Sequence, residues 1–93
     1  MDTEAIVREF GRVAKTKRWD RLHTPRNLSQ ALTVEANELM EAVSAEKHNT
    51  KQIAAEIADV QMYLLALAAS LNIDVAEAVN EKQSYNQRRF NAE

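Results

Sequence analysis

The stretch ALTVEANELMEAV, residues 31–43, combines an apolar helical stripe with acidic side chains on the same face. Its apolar residues, among them Leu32 and Leu39, recur at the spacing of one face of an α-helix. Glu35 falls within this stripe and Glu38 at its edge, about 60° apart around the helix axis. Because a helix buries its apolar stripe, and a buried unpaired carboxylate is costly, the two glutamates require a compensating partner.

The composition is typical of an all-α protein. Its 93 residues include one glycine and one proline, and 45% of them are hydrophobic. A net charge of −2 argues against a general binder of nucleic acid or membrane surfaces, and the absence of cysteine excludes disulfides and thiolate zinc sites. The acidic, amphipathic start does not resemble a signal peptide, and the longest uncharged stretch is too short to cross a bilayer. We therefore expect a soluble cytoplasmic protein.

Periodicity and capping signals predict four helices in one domain over residues 1–93. The predicted ranges are about 3–18, 28–47, 51–71 and 75–89. The expected N-terminal caps are Asn27 with Gln30, Asn49 or Thr50, and Asp74 with Glu77. The connections are short, so consecutive helices are expected to pack as antiparallel neighbours. The predicted fold is an all-α, four-helix bundle subunit.

The third predicted helix is apolar on nearly every side. One stripe consists of Ile53, Ile57, Val60, Leu64, Leu67 and Leu71, and the opposite side carries Ala58, Met62, Leu65 and Ala69. A helix of this kind is normally buried all round, which four short helices rarely achieve for one member. The pattern predicts a homo-oligomer, a dimer or a tetramer. The alternative is that some of these residues are tolerated at the surface.

A second carboxylate pair lies on this helix, where Glu56 and Asp59 repeat the i, i+3 spacing of Glu35 and Glu38. No Lys or Arg occurs in residues 31–46 or 52–81 to neutralise these groups. Carboxylate oxygens suit a hard divalent cation, so we predict Mg²⁺, with Mn²⁺ as a possible substitute. The alternative is an ordinary solvated flank, since such spacings are common.

Taken together, these motifs are similar to those of the MazG-like, all-α nucleoside triphosphate pyrophosphohydrolases. The resemblance rests on EANELMEA and EIADVQMYL, with WDRLHTPRNLSQAL before them and VNEKQSYNQRRF after them. These flanks look most like the dCTP-pyrophosphatase branch, and the likeness covers residues 10–90. It implies a Mg²⁺-dependent helical bundle, commonly a dimer or tetramer. Such an enzyme cleaves a nucleoside triphosphate between the α and β phosphorus and releases a monophosphate and pyrophosphate.

The resemblance also implies roles for individual residues. The metal ligands would be Glu35, Glu38, Glu56 and Asp59. The substrate contacts would be Lys82 and Asn86 on the phosphates or sugar, Tyr63 in the same pocket and His23 beside the base. Arg89 adds positive charge near Lys82, and Trp19 lies in the same loop region as His23. Candidate substrates are pyrimidine deoxynucleotides such as dCTP, in a house-cleaning role.

Several of these residues have a plainer structural interpretation. Tyr63 is either part of the pocket or a packing residue of the bundle. Arg88 interacts with either a phosphate or the C-terminal helix dipole. For Trp19, closing the end of the bundle is favoured over stacking on the base. Ala45 departs from the dCTP-preferring members, which carry a tryptophan there, and this puts narrow dCTP specificity in doubt.

The expected mechanism is in-line attack of a metal-oriented water on the α phosphorus. Glu38 or Glu41 would take the proton of the water, unless no protein base is needed. Glu41 continues the i+3 series but has rotated away from the apolar stripe, which indicates a supporting or solvent-facing position. The alternative function is a non-catalytic helical protein-interaction module. A di-iron or di-manganese bundle ranks below both, because neither His23 nor His48 forms a Glu-x-x-His pair.

Overall fold

The computed structural model describes residues 1–91, which form four α-helices and one short 3-10 turn, with no β-strand among them. The helices are α1 (Thr3–Thr16), α2 (Pro25–Ser44), α3 (Thr50–Ser70) and α4 (Val75–Asn91), and the 3-10 turn is Asp20–Leu22. The all-α prediction is confirmed, with α1 and α2 ending two or three residues earlier than the sequence predicts.

The predicted N-terminal caps of α3 and α4 are confirmed. The Asn49 side chain accepts the backbone N–H of Gln52 at 3.1 Å, and the Asp74 side chain accepts that of Glu77 at 3.0 Å. Each bond satisfies one of the backbone donors that a helix start leaves unpaired. α1 begins in the same way, since Asp2 accepts the N–H of Ala5 at 3.0 Å.

The predicted cap of α2 is wrong. Thr24 caps this helix, with its hydroxyl accepting the Asn27 N–H at 3.2 Å, and Pro25 is the first helical residue. Proline suits that position because its φ is already helical and its missing N–H would have had no partner there. Asn27 instead ties the helix to the preceding turn, as its side-chain amide donates to the Leu22 carbonyl at 2.9 Å.

The core lies where α3 packs against α2 along much of its length and against α1 on another side. The five-residue connection 45–49 makes α2 and α3 an antiparallel hairpin, as predicted. Within residues 1–91 the buried hydrophobic residues are Ala14, Leu28, Ala42, Leu65, Ala66 and Ala68. Four of these six are alanines, so one copy of the chain encloses only a thin core.

The other two helix pairs do not pack as consecutive neighbours, which corrects the prediction. α1 packs on α3 rather than on α2, because the break at residues 17–24 carries the chain across the hairpin. Within residues 1–91, α4 packs along none of the other helices. The turn between α3 and α4 contains Asn72, whose backbone is left-handed with φ 55°. In the same turn the Ile73 N–H donates to the Ala68 carbonyl at 2.9 Å.

An unusual amount of surface is exposed as a result. The accessible area is 7462 Å², whereas a folded monomer of this mass has about 5,400 Å². The radius of gyration is 15.8 Å, against about 12 Å for a compact chain of this length. The excess reflects α4, which stands apart, and the thin core between the other three helices.

Part of the apolar stripe of α3 is exposed. Ile57 is 52% exposed, Leu64 37% and Leu71 50%. Over its most apolar 18 residues α3 has a mean hydropathy of 1.4, so by length and composition alone this helix could cross a membrane. It nevertheless packs against α1 and α2 and carries Glu56 and Asp59. The predicted absence of a membrane partner stays a prediction.

Candidate active site

The α2–α3 hairpin brings the predicted carboxylates together. Oxygen atoms of Glu35, Glu38 and Glu56 lie within 4.8 Å of one another, which is close enough for one metal ion to contact all three. Asp59 lies one helical turn from Glu56, and its charge acts on both Glu35 and Glu56. The i, i+3 spacing on each helix is therefore sufficient to make the two pairs converge across the interface.

Two carboxylate oxygens in this cluster are buried without a partner. The Oε2 atoms of Glu35 and Glu56 are closed to solvent, and neither has a hydrogen-bond donor within the described chain. Burial raises the pKa of Glu35 above its ordinary value, and the charges of Glu38 and Asp59 raise it further. Burial also raises the pKa of Glu56, with Glu38 as the next largest cause. Both shifts reflect negative charge held out of water without a counter-charge.

No basic side chain offsets this charge within residues 1–91. The one salt bridge there joins Arg12 to Glu9 on the surface of α1. An arrangement of several hard oxygen donors, two of them desolvated and unpaired, fits a divalent cation such as Mg²⁺ or Mn²⁺. The carboxylates that would hold it are Glu35, Glu38, Glu56 and Asp59.

Tyr63 lies beside the cluster, one helical turn after Asp59. Burial raises the pKa of its phenol, followed by the negative charges of Glu35, Asp59 and Glu38. The hydroxyl is thus held in its protonated form and can donate a hydrogen bond near the carboxylates. Its ring also packs edge-to-face on Phe10, with centroids 5.1 Å apart. Tyr63 therefore packs within the bundle, and its role as a substrate contact stays a prediction.

An apolar cleft of about 530 Å³ opens beside the carboxylates, between α1 and α3. Its walls include Phe10, Trp19, His23 and Tyr63, and Asp59 lies at its acidic side. The Phe10 and His23 rings are 5.2 Å apart and tilted by 32°. A flat, partly aromatic ligand fits such walls, because aromatic faces stack on one another at these separations.

Trp19 does not close the end of the bundle, which corrects the favoured interpretation. Its side chain is 51% exposed and borders this cleft together with a second one, which Leu28 and Gln30 also line. Phe10 lines this cleft, although its helical spacing on the first helix predicts only a core position. The way α1 crosses α3 turns it toward the cleft.

The predicted substrate contacts on α4 are not beside the cluster in one copy of the chain. Lys82, Asn86 and Arg89 lie on the helix that stands apart, and none of them lines either cleft near Tyr63. Lys82 instead lies over the Tyr85 ring, 4.7 Å from its centroid. Glu41 is exposed on α2, close enough for its charge to act on Glu56.

A comparison with protein families decides which class this arrangement represents. Residues 23–91 match the model of the MazG nucleotide pyrophosphohydrolase domain. The chain belongs to this family. The match includes both carboxylate pairs of the MazG domain, Tyr63 and all of α4, so the resemblance predicted from the sequence motifs is confirmed. The family to which the chain belongs is one of nucleotide pyrophosphohydrolases.

Individual relatives agree with this assignment. The chain is 35% identical to dCTP pyrophosphatase 1 from Mus musculus over 94% of its length, and 35% identical to the Homo sapiens protein of that name over 96%. It spans 58% and 59% of those proteins, a little under three fifths of their length. A pyrophosphatase from Archaeoglobus fulgidus DSM 4304 has a similar structure, with a TM-score of 0.75 and 31% identity. That match covers 92% of this chain and 86% of the other.

Proposed function

We propose that this MazG domain is a divalent-metal-dependent hydrolase that converts a nucleoside triphosphate and water into a nucleoside monophosphate and pyrophosphate. The observation that carries the proposal is the convergence of Glu35, Glu38 and Glu56, with two buried oxygens that have no partner. Family membership supports a nucleotide substrate. The pyrophosphatase names of the relatives support cleavage at the α–β phosphoanhydride bond.

The roles of the residues follow from their positions. Glu35 and Glu56, each with a buried Oε2 atom, would hold the ion from opposite helices, and Glu38 and Asp59 would complete the carboxylate set. A bound Mg²⁺ or Mn²⁺ would neutralise phosphate charge and lower the pKa of the attacking water. With water as the nucleophile, the chain's own contribution to catalysis is positioning and electrostatic stabilisation.

The proton of the water requires an acceptor. Glu38 is exposed and lies in the cluster, within reach of the same point as Glu35 and Glu56. Glu41 lies one turn further along α2 on the solvent side and acts on Glu56 by its charge. Glu38 is therefore the better placed acceptor for the reaction, and Glu41 is better placed to pass the proton to solvent.

The nucleobase would occupy the cleft between α1 and α3. Phe10, His23 and Trp19 would contact its ring, while Tyr63 lies between this cleft and the carboxylates. dCTP and other pyrimidine deoxynucleotides are the first candidates, because the relatives include proteins named dCTP pyrophosphatase 1. Ala45 offers no aromatic face, so we propose a broader base preference than that name implies.

We also propose that the enzyme works as a homo-oligomer in the cytoplasm. The chain exposes about 2,000 Å² more than a compact monomer of its mass, and a stable interface buries about 1,200–2,000 Å² in total. We propose that the interface includes the exposed apolar residues of α3, Ile57, Leu64 and Leu71. Sedimentation at micromolar concentration is expected to show a dimer or tetramer, and a monomer would contradict this part of the proposal.

The activity is tested with a panel of ribo- and deoxynucleoside triphosphates in the presence of Mg²⁺, with products separated by chromatography. The expected products are a nucleoside monophosphate and pyrophosphate in equal amounts. A nucleoside diphosphate with free phosphate would indicate attack at the terminal phosphate and contradict the proposal. No turnover of any triphosphate with Mg²⁺ or Mn²⁺ would favour a non-catalytic interaction module, which the large exposed apolar surface also suits.

A further inference from the structure

The segment between α1 and α2, residues 17–24, carries two side chains of the candidate site but buries little surface of its own. Trp19 and His23 line both the cleft between α1 and α3 and the second cleft beside it. Trp19 is 51% exposed and Leu22 53%. Because packing within one copy covers so little of this segment, hydrogen bonds rather than burial determine its conformation.

Backbone hydrogen bonds hold the beginning and the middle of this segment. The Trp19 N–H donates at 2.7 Å to the carbonyl of Ala14, a buried residue of α1. Within the 3-10 turn the Leu22 N–H donates to the Trp19 carbonyl at 2.8 Å. The His23 N–H donates to the Asp20 carbonyl at 3.1 Å. These bonds fix the turn itself, but they do not tie its last carbonyl, that of Leu22, to α2.

A side chain makes that last connection. The Asn27 amide donates to the Leu22 carbonyl at 2.9 Å, and within residues 1–91 this is the one side-chain hydrogen bond to the backbone of residues 17–23. The Leu22 carbonyl and the His23 N–H belong to one planar peptide group, so holding the carbonyl also holds the plane from which His23 extends. His23 has φ −87° and ψ 54°, which is neither helical nor extended, so no helix or strand keeps it in this conformation.

We propose that Asn27 is a positioning residue of the active site: by holding the Leu22 carbonyl, its amide keeps Trp19 and His23 in place at the cleft between α1 and α3. This inference rests on the proposed function, which assigns that cleft to the nucleobase. Asn27 lines the second cleft and not the one that Asp59 borders. It therefore acts through the segment rather than at the carboxylates.

The kinetic consequence follows from the populations of the free enzyme. Without the amide bond, a smaller fraction of molecules has the cleft formed, and the apparent affinity for the substrate falls by that fraction. The loss of one neutral hydrogen bond corresponds to a change of about 2- to 12-fold. The chemical step is unaffected once the substrate is bound, so the effect falls on KM and not on kcat.

Two variants of the full chain, Asn27→Asp and Asn27→Ser, test the proposal. Both lack the amide donor, and the third residue of a helix tolerates either side chain, with Asp favoured by the helix dipole. Trp19 is the single tryptophan of the chain, so its time-resolved fluorescence anisotropy reports motion of the segment whether or not the enzyme is active. Ser29→Ala is the matched control, because it removes a side-chain bond to the Arg26 carbonyl, of 2.8 Å, that lies wholly within α2.

The expected result in both Asn27 variants is a larger amplitude of fast Trp19 motion. With the best triphosphate of the substrate panel, KM should rise about 2- to 12-fold while kcat stays within about twofold. The melting temperature should stay close to that of the unsubstituted protein, and Ser29→Ala should change none of these quantities.

Three outcomes would overturn the proposal. Unchanged Trp19 motion would show that Asn27 does not hold the segment. A higher KM in Asn27→Asp alone would indicate repulsion of the phosphates by the new carboxylate, and a joint loss of kcat and melting temperature would indicate a merely structural role. Inactivity of the unsubstituted chain would instead remove the proposed function, while the anisotropy would still decide whether Asn27 holds Trp19 in place.

Discussion

Replacing Glu35 by Gln is expected to remove most of the stabilisation that Mg²⁺ gives to the fold. At about 100 times its dissociation constant, a ligand of the folded state adds about 2.7 kcal/mol to the free energy of unfolding. In a domain of 93 residues this raises the melting temperature by about 10–20 °C, because 1 kcal/mol corresponds to about 4–8 °C at this size. The rise in melting temperature that Mg²⁺ causes in the unsubstituted protein is the reference against which the rise in the variant is compared.

The size of the loss follows from the geometry. Glu35 supplies one of three carboxylates whose oxygens lie within 4.8 Å of one another. Residues that merely support a metal ligand change affinity by up to about 100-fold, and loss of the ligand itself should cost at least as much. At the same Mg²⁺ concentration the stabilisation then falls to about 0.4 kcal/mol and the rise in melting temperature to about 2–3 °C.

Thermal unfolding with a chelator and then with increasing Mg²⁺, at fixed protein concentration, measures this response. Without metal, Glu35→Gln should melt at or above the temperature of the unsubstituted protein, because it removes a carboxylate whose pKa is raised by burial and like charges. This separates loss of the metal from general damage to the fold. Glu46→Gln, at an exposed site just after α2, is the matched control and should keep the full response. An undiminished Mg²⁺ response in Glu35→Gln would refute the assignment.

Three further predictions concern stability and substrate binding. Metal-free protein should lose stability as pH rises from the ordinary glutamate pKa of 4.5 through the raised pKa values of Glu35 and Glu56, because the folded state binds protons more tightly at these two groups than the unfolded state does. The measurement is the melting temperature as a function of pH, with Glu35→Gln as the reference for the other titrating groups. A difference between the two proteins that does not change with pH over this range would contradict the prediction. Leu65→Ala, at a site only 3% exposed, should cost about 2–5 kcal/mol in urea unfolding, and Ile57→Ala should instead weaken self-association in sedimentation, so the reverse pattern would place the interface elsewhere. Phe10→Leu should raise KM with little change in kcat, since Phe10 lines the cleft away from the carboxylates; an equal loss in both parameters would place it at the reacting atoms.

The helices and the carboxylate pairs follow from local rules, so they were predictable from the sequence. Side chains at i and i+3 share one face of any α-helix. An antiparallel hairpin of α2 and α3 then suffices to bring together the two carboxylate pairs, Glu35 with Glu38 and Glu56 with Asp59. The five-residue connection between α2 and α3 made that hairpin the natural outcome. The caps at Asn49 and Asp74 are likewise decided within four residues.

Features that depend on long-range packing were not predictable in this way. The direction of α1 is set by the break at residues 17–24, where Arg18 is left-handed with φ 61° and so turns the chain at a residue that is not glycine. That turn decides that Phe10 faces a cleft and that Trp19 remains half exposed. The separation of α4 from the other helices also depends on long-range packing, which its N-terminal cap and its helical periodicity do not specify.

The most direct test of the central claim is a crystal structure grown with Mn²⁺, read from the anomalous signal of the ion. A peak is expected at coordination distance from the carboxylates of Glu35, Glu38 and Glu56, with the two buried Oε2 atoms among the ligands of the ion. Carboxylates that turn toward solvent with no peak between them, in crystals that contain saturating Mn²⁺, would contradict the account and remove the basis for metal-dependent hydrolysis.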